Sequence, residues 1–541
     1  MGESFFGLNI AIRGLYTAQK SLDVVNHNLN NVNTPGYSRQ QAVQVAARPM
    51  ALFDGTGMMG TGSDISTVKR VRDEYLDFKY WSENISMGEW EAKQEVLADM
   101  EVTFNEPSES GFTAITNDFY SSLQELAKDP SSTAVRSLVR QKGITLAKYF
   151  NSTAAHFEKL QEDVNYRIQT KVEEVNSYAT QIQQLNRQIY ISELDGNAAN
   201  DLRDQRTLLV DKMSKLVNIE ANEIIAGKLP GGADDKHFVI TISGKAIVDH
   251  YDISKLRVVQ RNDSQKVNTE DVDNLYEVEW ADGNSLNIKG GELRGYLDLR
   301  DGNEGDTNED NGLVSPNYKG IPYYQKKLNQ FVRTFAMAFN EGYIDGNGDG
   351  QINDGEDLLG HADGVGLKEI SGVRFFTYTG ADKLPVSSDA FLDGAVSTED
   401  IIGRYTEKIT AKNFSISDEV QSDYNSISAA DDAGETGNID VLNSLLKTRQ
   451  NTKMFSEGAP EDFMKSLVAN LGVDTQQALN YQGNQSVIVK QLENRRLSDS
   501  GVSMDEEMAN MVKFQHAYNA SAKLIQTMGE IYDTLINKLG V

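Results

Sequence analysis

Both ends of this chain are written in heptads, and that constrains the fold more than any other feature. From Phe5 the apolar positions Leu8, Ile12, Leu15, Leu22 and Leu29 fall on a 4,3 spacing, with Gln19 and Asn26 at the remaining seam positions. Ala11, Ala18, Val25 and Val32 form a second row seven apart. The C-terminal end mirrors this. Met504, Met508, Met511, Gln515, Tyr518, Ala522, Ile525, Gly529, Tyr532, Ile536 and Leu539 alternate by 4 and 3, flanked by Phe514, Met528 and Leu535. Such spacing is that of helices that pack along a seam. The first helix should stop at Asn33-Thr34-Pro35-Gly36, because proline restricts the residue before it and Gly36 supplies positive φ. The last should start at "SGVSMDEE", with a serine cap and acidic residues facing the helix dipole. An amphipathic stripe usually packs on its own domain. Here both stripes sit at the extremities, where ordinary domains fray, and each carries a second apolar row that asks for further chains.

Between the arms the pattern predicts helices over Glu74–Phe104, Thr113–Lys128, Ser131–Leu194 and Asn200–Val217. Alternating runs such as "HFVITISGKAIV" and "LYEVEW", separated by Gly, Asp and Asn turns, then predict a β-rich insert. A linking helix returns at Tyr323–Glu341, and helices resume over Ile439–Met454 and Phe463–Leu497. The expected divisions are an N-terminal arm (1–45), the first half of a helical domain (46–218), a β-rich insert (219–300), a linking region (301–344), a second β-rich and irregular insert (345–430), the second helical half (431–498) and a C-terminal arm (499–541). The fold class is thus multidomain α+β, with terminal coiled-coil helices, a long-helix bundle in the middle and inserted β-rich domains.

A chain of 541 residues with net charge −28 lacks the clustered cations that nucleic acid or an anionic membrane requires. There is no cysteine, so disulfides, thiolate metal sites and cysteine nucleophiles are excluded. No apolar run approaches the roughly 20 residues that span a bilayer. The opening "MGESFFGLNIAIRG" has Glu3 before its apolar run and no small-residue cleavage site, so a cleaved secretory leader is not expected.

"GTGMMG", Gly55–Gly60, fits G-x-G-x-x-G, but "TGSDISTVKRV" after it alternates like a strand, where a dinucleotide site needs a helix; it reads as a glycine-rich turn. Six histidines are scattered without metal-ligand spacing, and there is no nucleophile elbow or Walker A sequence. No catalytic constellation is present, so an enzyme is not expected. One motif carries chemistry. "DGNGDGQINDGE" satisfies the EF-hand loop pattern, with Asp345, Asn347 and Asp349 as side-chain ligands, Gln351 through its carbonyl, Asn353 through water and Glu356 with two oxygens. Its composition is equally that of a surface turn, and no paired helix follows it. No cofactor is required, and calcium is the one ion the sequence admits, as a stiffener of the insert.

"LDVVNHNLNNVNTPGYSRQ", Leu22–Gln40, and "SGVSMDEEMANMVKFQHAYNASAKLIQTMGEIYDTLI" at the other end resemble the terminal signatures of the bacterial flagellar rod, hook and hook-associated axial proteins. The "YSRQ" ending is similar to the hook-associated branch, and "GTGSDISTVKRVRDEYL" and "GGELRGYLDLRD" fit it too. The resemblance implies a structural adapter between hook and filament, exported without a cleaved leader through the flagellar type III apparatus after an export chaperone binds it. Its implied partners are the hook protein, a second hook–filament junction protein and copies of itself in a ring, with no nucleic acid and no membrane. On that reading the arms line the inner tube through Leu8, Ile12, Leu15, Leu22, Val25, Leu29, Met508, Met511, Phe514, Tyr518, Ile525, Tyr532 and Ile536. Pro35 and Gly36 turn the chain outward, and Gln19 and Asn26 fix register. Two rival readings are a hook or rod subunit and a calcium-dependent surface binding protein carrying β modules on a helical stalk.

Overall fold

The computed structural model describes residues 6–51, 57–104, 108, 111–194, 196, 198–228, 234–343, 358–395, 397–435 and 437–538. The chain opens with α1 (Phe6–Asn30), turns at Thr34-Pro35-Gly36 and enters β1 (Gln40–Ala46). Gly36 has φ +78°, a conformation that residues with a Cβ rarely adopt. A small ribbon, β2 (Met50–Ala51) with β3 (Met58–Met59), precedes β4 (Ser63–Arg70), which pairs antiparallel with β1 from Gln40↔Arg70 to Ala46↔Ser63. The strand expected after the glycine-rich run is therefore present, and no helix follows the run that could receive a pyrophosphate.

The body is built on long helices: α2 (Glu74–Phe104), α3 (Phe112–Lys128), α4 (Thr133–Glu193) and α5 (Asn200–Leu216). At 61 residues α4 runs about 90 Å at 1.5 Å per residue. It starts where the Ser132 side chain accepts from the Val135 amide, and it buries Phe150, Phe157, Val164, Ile168, Val172, Val175, Ile182 and Ile189 along one stripe. Two further elements complete the bundle late in sequence: α11 (Asp440–Thr448) beside α3, and α12 (Pro460–Ser500), which packs along α2.

The first insert is a four-stranded antiparallel sheet, β5 (Ile219–Lys228), β6 (Asp234–Ile242), β7 (Lys245–Asp249) and β8 (Asp252–Ile253), followed by a ribbon of β9 (Leu256–Gln260) with β10 (Tyr276–Trp280). Its last stretch is helical: α6 (Glu292–Asp301) starts after Gly291 at φ +87°, where an added Cβ would lie 2.6 Å from the Leu216 carbonyl. The linking helix is α7 (Ile321–Glu341), buried on almost every side. Phe331 of α7 stacks on Phe150 (5.2 Å) and Phe455 (5.2 Å), and Phe335 and Phe339 continue the aromatic core.

The second insert departs from expectation. Among its described residues the only strands are β11 (Phe376–Tyr378) and β12 (Phe414–Ile416), paired with each other. The rest folds as loops and short helices, α8 (Ser388–Phe391), α9 (Thr398–Lys408) and α10 (Asp418–Ser422). The reason is local. Ser387, Ser397 and Ser417 each cap a helix start, with acidic residues in the first turn. Cap residues recur here every ten to twenty positions, and each starts a helix. The proposed calcium ligands Asp345, Asn347, Asp349, Gln351, Asn353 and Glu356 all lie outside the described residues. The chain ends with α13 (Met504–Asp533) and a single π turn, Thr534–Lys538; Leu539 falls outside the described residues.

Candidate assembly interface

The two arms pair with each other. α1 and α13 run antiparallel, and three contacts fix their register. A Cβ on Gly7 would fall 2.7 Å from Met528 Cε, one on Gly14 would fall 3.0 Å from Ser521 Oγ, and Asn28 Nδ2 donates to Glu507 at 3.2 Å. Each seven-residue step toward the body along α1 thus matches a seven-residue step back along α13, as a heptad seam requires. The fully buried positions of α1 are Ala11, Thr17, Ala18, Ser21, Val25 and Asn28. Small side chains hold this seam because the helices approach closely, and the β1–β4 hairpin packs on α1 as well.

Leu8, Ile12, Leu15, Leu22 and Leu29 are half-buried, as are Met511, Phe514, Tyr518, Ile525 and Tyr532. Met508 and Ile536 are exposed, together with Met504, Val512, Leu524, Ile531 and Leu535. They fall in two groups on either flank of the α1-facing seam, Met504, Met508 and Val512 at the start of α13 and Leu524, Ile531 and Leu535 toward its end, and among the described residues both groups remain exposed. Pro35 and Gly36 are exposed at the turn. Gln19 and Asn26, the expected register residues, are exposed and outside the seam. Asn28 takes that role. It donates to the Gln40 carbonyl (2.9 Å) and to Glu507, and its Oδ1 accepts from the Gln40 amide (2.9 Å) and the Tyr37 hydroxyl (2.8 Å). Its partners lie beyond the proline turn and 479 residues away, so periodicity alone could not single it out.

The four residues that follow the turn bolt the arms to the body. Tyr37 holds Asn28. Ser38 donates to the buried Asp204 of α5 through its amide (2.7 Å) and hydroxyl (2.8 Å), and Arg70 reaches the same carboxylate at 3.1 Å. Arg39 pairs with Glu507 (2.8 Å) and Glu506 (2.9 Å) at the start of α13, and its amide donates to the Ser500 carbonyl at 2.7 Å. Gln40 donates to Asp201 at 2.6 Å. Behind them Arg72 binds Asp77 (2.7 Å), and Arg496 of α12 bridges Asp77 (2.9 Å) and Asp211 (3.0 Å). Burial pushes the Asp211 carboxyl up, against the pull of Arg496 and Arg72. A cleft of about 1000 Å³ opens beside this network, between the Thr34-Pro35-Gly36 turn and the α12–α13 connection. Among the described residues no group of three His, Asp or Glu could hold a metal, and no helix is long and apolar enough to cross a membrane.

Comparison with known proteins converges on one family. Residues 97–358 match the model of the flagellar hook-associated protein FlgK helical domain, 493–539 that of the flagellar basal body rod FlgEFG protein C-terminal region, and 8–37 that of the flagella basal body rod protein. Flagellar hook-associated protein 1 of Bacillus subtilis is 30% identical over 566 residues, covering 100% of this chain and 99% of the relative. Its Escherichia coli counterpart is 26% identical over 581 residues, covering 98% of this chain and 99% of the relative. The fold is shared with the flagellar hook junction protein FlgK from Burkholderia pseudomallei, at a TM-score of 0.55 and 14% identity, across 79% of this chain and 100% of that one. This chain, a structural component of the bacterial flagellum, belongs to the flagellar hook-associated protein 1 family.

Proposed function

We propose that the chain is a non-enzymatic adapter at the hook–filament junction, contacting the hook protein on one side, a second junction protein on the other, and copies of itself around a ring. On this reading it reaches the extracellular flagellum through the type III apparatus, without a cleaved leader, after an export chaperone has bound it. Family membership supports the flagellar role. The observation that carries the adapter reading is that α13 pairs with α1 along one seam yet leaves apolar side chains exposed on both flanks of it, Met504, Met508 and Val512 on one and Leu524, Ile531 and Leu535 on the other. A two-helix arm buries one seam, and apolar side chains left exposed on both flanks of it are suited to neighbouring subunits.

Leu524→Asp and Ile531→Asp test it. Both side chains are exposed, so the monomer should melt within a few degrees of the parent. Binding to purified hook ends, and rescue of motility in a strain lacking its own family member, should be lost. Normal assembly by both variants would overturn the reading. Ile525→Asp is a poorer probe, because Ile525 is half-buried and reports on the α1–α13 pair itself.

For the Asp345–Glu356 loop we propose a calcium-stabilised turn, from its ligand spacing alone. Calcium at about ten times its dissociation constant should add roughly 1.4 kcal/mol of stability. The rise in melting temperature should vanish in Glu356→Gln, and a parent protein indifferent to calcium would remove the proposal.

A further inference from the structure

Near the start of α4 a guanidinium is buried without a counter-charge. Arg136 is 1% exposed; its Nε donates to the Pro130 carbonyl at 2.8 Å and its Nη1 to the Ile427 carbonyl. The other buried arginines among the described residues, Arg206, Arg300 and Arg374, each hold a carboxylate: Glu223 at 3.0 Å, Asp301 at 2.7 Å and Glu341 at 2.5 Å. Arg136 has none within ion-pair distance among the described residues, and burial, with nothing to offset it, lowers its pKa to about 10. It is still a cation at neutral pH. Its charge is felt in the core, where burial first and Arg136 after it hold the His361 pKa down at about 4.

In place of a carboxylate, Arg136 lines a cavity of about 70 Å³ between the loop at 365–367 and the segment 429–438 that leads into α11. Glu369, Asp432 and Glu435 line its outer side, and all three are exposed. None of them reaches the guanidinium, and Glu435 is held instead by Asn438 Nδ2 at 3.0 Å.

A guanidinium carries five N–H donors and one positive charge. Two backbone carbonyls engage some of the donors but bring no net charge, and a buried cation left so is costly. One negative charge would complete it. We propose that this cavity is a binding site for one small monovalent anion, a chloride or a carboxylate group, held by the Arg136 guanidinium. Size and charge select the ion. A single water needs roughly 10–15 Å³ of such space, so the cavity takes a chloride or a carboxylate group and little more. The three outer carboxylates repel every anion, but a doubly charged one twice as strongly. The site lies on the body and is independent of the adapter reading, so either can stand without the other.

The test uses the full chain with chloride as the probe, read by the NMR line width of the chloride resonance. The parent should broaden that line saturably. Formate should displace the chloride, and sulfate at matched ionic strength should do so far less. In Arg136→Gln the affinity should fall more than about tenfold, because a charge-assisted bond to a buried group is lost. A thermal melt checks that this variant folds. A second variant leaves the core alone: Glu369→Gln combined with Asp432→Asn changes two exposed side chains and should raise the affinity roughly two- to fourfold. An arginine with a purely structural role would give no such gain. No saturable broadening by the parent, unchanged affinity in folded Arg136→Gln, no gain in the double variant, or displacement by sulfate as strong as by formate would overturn the proposal.

Discussion

Asp204 shows how much of the joint rests on single side chains. Its buried carboxylate takes the Ser38 amide and hydroxyl and the Arg70 guanidinium, joining the turn, the hairpin and α5 at one point. Removing it leaves Arg70 largely buried and unpaired and two serine donors unmet. Asp204→Ala should therefore cost about 3–5 kcal/mol. Urea melts of parent and variant measure that loss, and a cost below about 1 kcal/mol would mean that the network is dispensable. What sequence disclosed here was uneven. Pro35 and Gly36 announced the turn, because their backbone restrictions are intrinsic. The arm's register residue was misplaced onto Gln19 and Asn26, because polar residues on a heptad look alike until their partners are known. Asn28 differs only in having Gln40 and Glu507 to bind, and Glu507 arrives from the far end of the chain.

Among the elements, the β5–β8 sheet carries an unusual stress. His237 of β6 and His250, in the turn after β7, stack with ring centroids 3.9 Å apart at 8°. His250 is buried, has φ +52° and finds no hydrogen-bond partner for either ring nitrogen among the described residues. Burial holds its pKa below the ordinary histidine value of 6.5, reinforced by His237 and Arg206 of α5 and opposed by Asp235 of β6 and Asp249 of β7; the rings of Tyr190 on α4 and Tyr251 pack beside it. The folded state therefore binds the proton less readily than the unfolded one. This contribution is intact above about pH 6.5 and is lost as pH falls from there toward the folded value. Amide exchange in β6 and β7, corrected for intrinsic rates, should quicken between pH 7 and pH 5.5 in the parent. His250→Asn, which tolerates the same backbone and does not titrate, should flatten that dependence; equal slopes in the two proteins would refute it. Sequence alternation was enough to locate this sheet, since half-buried strands keep a period of two. The second insert, expected to be β-rich and irregular, offered no such period, and its serine caps start short helices instead.

At the scale of the whole molecule, the nested order of the chain was legible because both ends carry one long, regular period. That they would pair with each other, and which row each would turn inward, was not. On α1 the row of Ala11, Ala18 and Val25 is the buried one, and the larger Leu8, Leu15 and Leu22 flank it, because Gly7 and Gly14 let α13 come too close for leucine at the seam. The antiparallel register has a mechanical corollary. With Gly7 opposite Met528 and Asn28 opposite Glu507, Phe6 and the C-terminal turns of α13 share the distal tip of the arm. Tension between the chain's two ends would open the arm as a zipper, one heptad at a time from the tip. Tension between arm and body would instead load Ser38–Asp204 and Arg39–Glu507 together in shear, so the same chain yields easily in one direction and resists in the other.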